Sequence, residues 1–276
     1  MTEVKKVPLK SGAEEKSYYH FYERDMAPVP EEKLELLKNP FGQLGEGMEI
    51  EDRNRMFEPG YFEKEIGIFE LKEGGFVAEN LTEMKGAKGY MLQWYFGWHA
   101  LDPMRYAIWD PYDHYGLEIS EEDRTYILDT KTPIAKKCQN VRHTVHESLL
   151  PGTDPAIIHI NFKKPADMGI TDEFMSTEQC SFMVCANVEI ETPEGTPNLP
   201  VVMFHMARDT EEGCELRSRF WLGYQIIDGV GKCLIPKEVA EAIQPLTVQL
   251  LTHNFNEFTN MAAILPELYQ EEKNNW

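Results

Sequence analysis

Residues 199–226, LPVVMFHMARDTEEGCELRSRFWLGYQI, hold two β-rich runs on either side of an acidic turn containing glycine. Two earlier runs have the same character, AIIHINF at 156–162 and QCSFMVCANVEIE at 179–191, and Pro, Gly, Asp and Thr clusters separate the four at hairpin-like intervals. Consecutive runs so spaced predict antiparallel pairing. After them, 236–270 reads as one long amphipathic helix with Leu250, Phe255, Phe258 and Met261 among its apolar positions, and Pro245 is expected to bend its start. Strands followed by a closing helix give an α+β fold.

Working toward the N-terminus, EIGIFEL (65–71) and GFVAEN (75–80) form a hairpin candidate across Lys72, Glu73 and two glycines. The segment 81–98, with aromatics and leucine at mixed spacing, is read as a helix. Asp102 and Pro103 supply an N-cap and a first-turn proline for a second, short helix to Trp109, and a loop follows at Asp110 and Pro111. Residues 1–60 are polar and turn-rich, with a break at Pro28-Val29-Pro30 and a short helix over 30–37, and read as an arm or small helical subdomain packed on a core domain at 61–276. No repeat of solenoid or propeller length is visible.

The chain carries 47 Asp plus Glu against 27 Lys plus Arg, a formal charge of -20, without a basic run, which argues against a nucleic-acid partner. Hydrophobic residues make up 42% and aromatics 11%, enough apolar material to offset ordering entropy and exclude a disordered acidic chain. The N-terminus lacks the apolar core of a secretory signal, and no run is long enough to span a bilayer, so no membrane partner and a cytoplasmic site are expected. Cys138, Cys180, Cys185, Cys214 and Cys233 are odd in number and contain no CxxC, which suits reduced, buried thiols.

Five groups of residues could carry chemistry. His253 and Glu257 in LLTHNFNEFTN stand one helical turn apart and project from one face, as two metal ligands or as an exposed pair. VRHTVHESLLPG holds His143, His146 and Glu147 without the HExxH order of a metallopeptidase; on a strand, His143, Val145 and Glu147 share a face. MRYAIWDPYDHYGL sets Tyr106, Trp109, Tyr112 and Tyr115 around His114, as a phenol-binding pocket or as core. His205, between apolar neighbours in VVMFHMARD, is a core histidine or a neutral imidazole poised for proton transfer. Arg217 and Arg219 alternate and share a face, where they hold an anionic product or pair with acids.

In their order, GYMLQWYFGWHALDPMRYAIWDPYDH, HTVHE, HMARD, ELRSRFWLG and HNFNE resemble the phloretin hydrolase and diacetylphloroglucinol hydrolase family over about residues 80 to 260, leaning toward its phloretin-cleaving branch. The resemblance implies a Bet v 1-like helix-grip fold, a curved antiparallel sheet around a long C-terminal helix. It also implies zinc held by His114, Glu147, His253 and Glu257, with His143 as the alternative to Glu147. Tyr106 matches a pocket tyrosine and His205 the strand histidine, while the asparagine with which some relatives contact an acetyl group has no counterpart near Leu117. The implied activity is hydrolysis of the carbon–carbon bond between an acyl carbonyl and a polyhydroxylated ring, phloretin giving phloroglucinol and phloretic acid. His205 would deliver the proton, Tyr106 or Tyr115 would orient the phenol or carbonyl, and zinc would polarise the ketone or activate water. The competing expectation is a noncatalytic helix-grip carrier of aromatic or lipid ligands. A homodimer through the acidic N-terminal third is a further expectation.

Overall fold

The computed structural model describes residues 4–276. The chain runs β1 (Gly67–Glu70), β2 (Phe76–Lys85), β3 (His114–Glu118), β4 (Arg142–Glu147), β5 (Ala156–Lys163), β6 (Phe182–Ile190), β7 (Leu199–Asp209) and β8 (Gly213–Leu222), with a separate hairpin of β9 (Tyr224–Ile227) and β10 (Val230–Cys233). The helices are α1 (Tyr19–Glu23), α2 (Glu31–Leu36), α3 (Gly89–Trp98), α4 (Pro103–Ala107), α5 (Glu121–Leu128), α6 (Asp172–Met175) and α7 (Lys237–Glu272). The first eight strands pair antiparallel in the order β1-β2-β8-β7-β6-β5-β4-β3. The long C-terminal helix α7 packs against this sheet, which is the helix-grip arrangement.

Burial on β7 shows why the strands hold apolar residues in unbroken runs. Leu199, Val201 and Met203 belong to the core shared with Leu250, Phe255 and Phe258 of α7, whereas Val202, Phe204 and Met206 belong to a second core on the opposite face. A sheet covered on both sides needs apolar side chains at both parities. The outer cover comes from the N-terminal segment: the 3-10 turn Ile50–Phe57 buries Ile50, Met56 and Phe57 there, and the Trp221 indole donates to the Met48 carbonyl at 2.8 Å. Arg53 in that turn donates to the carbonyls of Met168, Ile50 and Gly229 at 3.0, 2.8 and 2.6 Å. The first sixty residues thus reach several elements of the sheet layer.

Two expectations need correction. Residues 81–85 are strand, because β2 pairs with β8 along its whole length, from Phe76↔Leu222 to Lys85↔Gly213, and buried Met84 alternates with exposed Glu83 and Lys85. Helix α3 begins only at Gly89, where a Cβ would fall 2.3 Å from Ser181 Oγ. The run 214–226 divides at Gly223, whose φ of +93 directs the chain from β8 into the small hairpin. Helix α7 runs as one helix, as expected, over 36 residues with both Pro245 and Pro266 inside it.

All five cysteines are free. Among the described residues, no helix is long and apolar enough to cross a membrane.

Candidate active site

Strand register brings the first two ligand candidates together. Edge strand β3, a stretch to which the sequence reading assigned no element, pairs with β4 so that His114 lies directly opposite Glu147. On β4, His143, Val145 and Glu147 are buried while Arg142, Thr144 and His146 are more exposed, the expected alternation. From the other side α7 contributes His253 and Glu257, four residues apart and both buried.

Their donor atoms converge. His114 Nε2 is 3.3 Å from His253 Nε2 and 3.8 Å from Glu257 Oε2; His253 Nε2 is 3.5 Å from Glu147 Oε1 and 3.9 Å from Glu257 Oε2. Ligands bound tetrahedrally at zinc-like bond lengths of about 2.0–2.1 Å stand roughly 3.3–3.4 Å apart. The observed spacings are at or slightly above that edge.

The imidazoles are oriented from behind. His114 Nδ1 is 3.0 Å from the Tyr106 carbonyl, which can only accept, so Nδ1 carries the hydrogen and Nε2 offers its lone pair to the centre. His253 Nδ1 faces Asp113 Oδ2 at 3.7 Å, and both atoms lack any hydrogen-bond partner. Glu257 Oε1 accepts from Asn254 Nδ2 at 3.0 Å, and Glu147 Oε2 accepts from the Tyr106 hydroxyl. The Tyr106 ring also stacks on His114, centroids 3.8 Å apart and 4° from parallel.

Titration follows from this crowding of acceptors. Burial lifts Glu257 above the ordinary carboxylate range, and burial likewise takes Asp110 up to about 7. Burial by itself would lower His253, but Glu147, Asp113, Glu257 and Asp110 outweigh it and hold that imidazole above its ordinary value. Burial and the neighbouring His253 push His114 well below the usual range. Left to itself the cluster keeps a proton on His253; a divalent cation would balance the same carboxylates and use both imidazole lone pairs. The donor set therefore fits a metal.

Next to these four side chains lies an enclosed chamber of about 60 Å³, walled by Phe96, Trp109, Phe162, Met203, Phe220 and Leu250. His205 is on this wall, with Nδ1 2.8 Å from Ser218 Oγ and its ring 4.9 Å from that of Phe258; burial takes its pKa down to about 3. Burial thus keeps this imidazole neutral. His143 also lines the chamber and, like Glu257, lies outside the tightest group of donors, formed by His114, Glu147 and His253; its Nε2 has no partner and its ring packs edge-on to His99 and Phe162. A larger cleft of about 770 Å³ starts about one helical turn from Leu250, lined by Leu199, Ile243 and Leu246 among others.

Two placements set side chains apart from this centre. Tyr115, the neighbour of His114 on β3, lines a separate surface cleft with Lys10, Lys16 and Arg124, because successive strand side chains leave on opposite faces. Arg217 and Arg219 flank Ser218 on β8 and therefore face the outer side, where Arg217 Nη2 is 2.9 Å and Arg219 Nη2 2.7 Å from the Glu65 carboxylate and Arg219 Nε is 3.2 Å from Glu79. They hold acids of this chain rather than a product anion. The sequence reading gave no role to His99, Asp110, Asp113 or Asn254. Only the aspartates carried a signal, a carboxylate immediately before His114 and another four residues ahead of it in WDPYDH.

The DAPG hydrolase PhiG domain family model matches residues 48–270. Phloretin hydrolase of Eubacterium ramulus is 36% identical over 98% of this chain and 96% of its own length. The 2,4-diacetylphloroglucinol hydrolase of Pseudomonas protegens is 26% identical over 80% of this chain and 73% of that one. Among solved structures, norcoclaurine synthase of Thalictrum flavum is similar over 72% of this chain and 88% of its own, at 14% identity and a TM-score of 0.39.

Proposed function

This chain belongs to the DAPG hydrolase PhiG domain family, and from that premise we propose that it is a zinc-dependent hydrolase of acylphloroglucinols that cleaves phloretin to phloroglucinol and phloretic acid. Hydrolysis of a ketonic carbon–carbon bond is common to the named relatives; the metal and the substrate are the further step. The observation that carries it is the placement of His253 Nε2 3.3–3.9 Å from His114 Nε2 and from one carboxylate oxygen each of Glu147 and Glu257, beside an aromatic-walled chamber.

His114, Glu147, His253 and Glu257 would hold the ion; when bound, it supplies Lewis-acid polarisation of a ketone or water oxygen. Zinc suits two nitrogen and two oxygen donors at these separations. Tyr106 keeps its proton, since burial raises its pKa well above the usual value, and its hydroxyl fixes Glu147. Its role is thus to hold the centre in shape more than to grip the phenol.

Proton movement falls to His205. The neutral imidazole, with Nδ1 engaged by Ser218, takes a proton from a ring hydroxyl at Nε2 and returns it to the ring carbon bearing the acyl group. That tautomer lacks aromaticity at the reacting carbon. Water then adds to the carbonyl, the carbon–carbon bond breaks, and its electron pair returns to the ring and restores aromaticity. The water oxygen ends in the carboxyl group, one of its hydrogens on the acid and the other on the ring hydroxyl that gave up its proton.

A chamber of about 60 Å³ holds a few waters at most, so the ring enters by displacing walls. Met203 and Leu250 are the mobile candidates, since they stand toward the cleft lined by Leu199 and Leu246. The test is to incubate purified protein with phloretin before and after chelation, with metal analysis on the same samples. Formation of both products that stops on chelation and returns with zinc supports the proposal. Phloretin bound but unchanged by metal-loaded protein would make the chain a carrier and end it.

A further inference from the structure

Asp113 connects three approaches to the centre, through its neighbour His114, through Ser148 next to Glu147, and through the His253 imidazole. It precedes His114 in sequence and is wholly buried. Its Oδ1 accepts from Ser148 Oγ at 2.6 Å, and its backbone carbonyl accepts from the Ser148 N–H at 3.0 Å. Ser148 directly follows Glu147. The remaining oxygen, Oδ2, faces His253 Nδ1 at 3.7 Å, and neither atom has another partner. One carboxylate thus joins the chain next to His114, the chain next to Glu147 and the imidazole delivered by α7.

We infer that Asp113 is a positioning residue that keeps His253 in the tautomer with its hydrogen on Nδ1 and its lone pair directed at the metal, while locking β3 to β4 through Ser148. The inference rests on reading the centre as a metal site. Histidine ligands generally require such a carboxylate or carbonyl behind them, and losing it lowers metal affinity about 10- to 100-fold. His114 has a carbonyl in that position, from Tyr106 at 3.0 Å; His253 has only Asp113 within reach.

A rival use of the same atoms is a second cation held by Asp110, Asp113 and His253, whose donor atoms also cluster. Asp110 Oδ2 is buried and unpartnered too. The chemistry disfavours it. A neutral imidazole has a single nitrogen lone pair, and Nε2 commits it to the first ion.

Asp113→Asn separates a positioning role from a merely structural one. The amide still accepts from Ser148 at Oδ1 but presents an NH₂ to His253, which favours the opposite tautomer, with hydrogen on Nε2. Zinc affinity is measured by competition with a chromophoric chelator, zinc stoichiometry by elemental analysis, and stability of the metal-free protein by thermal unfolding. Expected are one zinc per wild-type chain and a 10- to 100-fold weaker zinc affinity in Asp113→Asn, in a metal-free protein that still unfolds cooperatively. Ser148→Ala, which leaves the His253 contact intact, should weaken zinc less than Asp113→Asn does. Wild-type zinc affinity in Asp113→Asn would overturn the inference, as would affinity lost only in parallel with metal-free stability, or two zinc ions per wild-type chain. A wild-type chain that binds no zinc at all would instead refute the metal reading underneath.

Discussion

Two buried clusters of charge, one on each face of the sheet, use similar residues to different ends. On the outer face Arg217 and Arg219 meet Glu65 and Glu79 at 2.7–3.2 Å, guanidinium against carboxylate, so the charges are balanced by the chain itself. On the inner face Glu147 and Glu257 meet two imidazoles at 3.5–3.9 Å, and among the described residues no lysine or arginine forms an ion pair with either carboxylate. Self-neutralised clusters are structural; an acceptor-rich cluster closed off from water is a place for a cation. The side chains of β8 make the division visible at one strand, Ser218 holding His205 inward while its two arginine neighbours point out.

The sharpest attempt to break this contrast removes an inner ligand. His253→Ala or Glu257→Ala should abolish zinc binding and lower turnover by roughly three orders of magnitude or more, several kcal/mol of transition-state stabilisation being lost together. Metal content and phloretin turnover measured on one preparation decide it; full activity in either variant would remove the inner cluster from catalysis. Next is His205→Gln, which should cost roughly 10²- to 10⁴-fold in turnover while zinc content stays at the wild-type level. Loss of zinc in that variant would place His205 in the metal cluster and not in proton transfer.

The outer cluster should respond in the opposite way. Arg219→Met leaves Glu79 buried without its guanidinium and is expected to lose about 3–5 kcal/mol of stability in denaturant titration, with zinc affinity of the folded fraction unchanged. Pairing it with Glu79→Leu should recover much of the loss. A turnover defect that persists in the fully folded double variant would show that the outer charges reach the reaction after all.

The smallest effect concerns pH. Lys33, in the N-terminal segment, donates to Asn80 Oδ1 at 2.8 Å beside Phe255, and burial pushes its pKa down to about 8. Between that value and the unfolded value near 10.5, the unfolded chain binds a proton that the folded chain does not, so this group makes stability rise with pH across that window. Below about 8 both states are protonated and its contribution is flat. Lys33→Met should therefore lose its relative advantage, on the order of a few kcal/mol, as pH climbs from 8 toward 10. An identical pH dependence of unfolding in the two proteins would show Lys33 to be solvated.

Much of the site was legible because each local period is short. His253 and Glu257 at helical spacing, and His143, Val145 and Glu147 at strand spacing, could be placed on common faces from letters alone. Residues 81–85 went astray for the same reason: aromatic and leucine spacing just downstream carried a helical signal, and only the ten-residue ladder with β8 made Met84 an inward strand position. Tyr115 stood as a second candidate beside Tyr106 within one aromatic stretch; the start of β3 between them sent one ring onto His114 and the other to a surface cleft.

By itself, the chain's order of apolar periods determined the run of antiparallel strands, the closing helix and the reduced thiols, since pairing of neighbours and the facing of a helix depend on spacings of two to four residues. What only the tertiary structure decided is which distant groups meet: that His114 stands across from Glu147, that Asp113 backs His253, and that Arg217 and Arg219 turn away. Those facts depend on strand register and on the docking of α7. A slip of one residue in strand register would turn every side chain of that strand to the other face, and a shift of one residue along α7 would rotate its ligands by about a quarter turn or more.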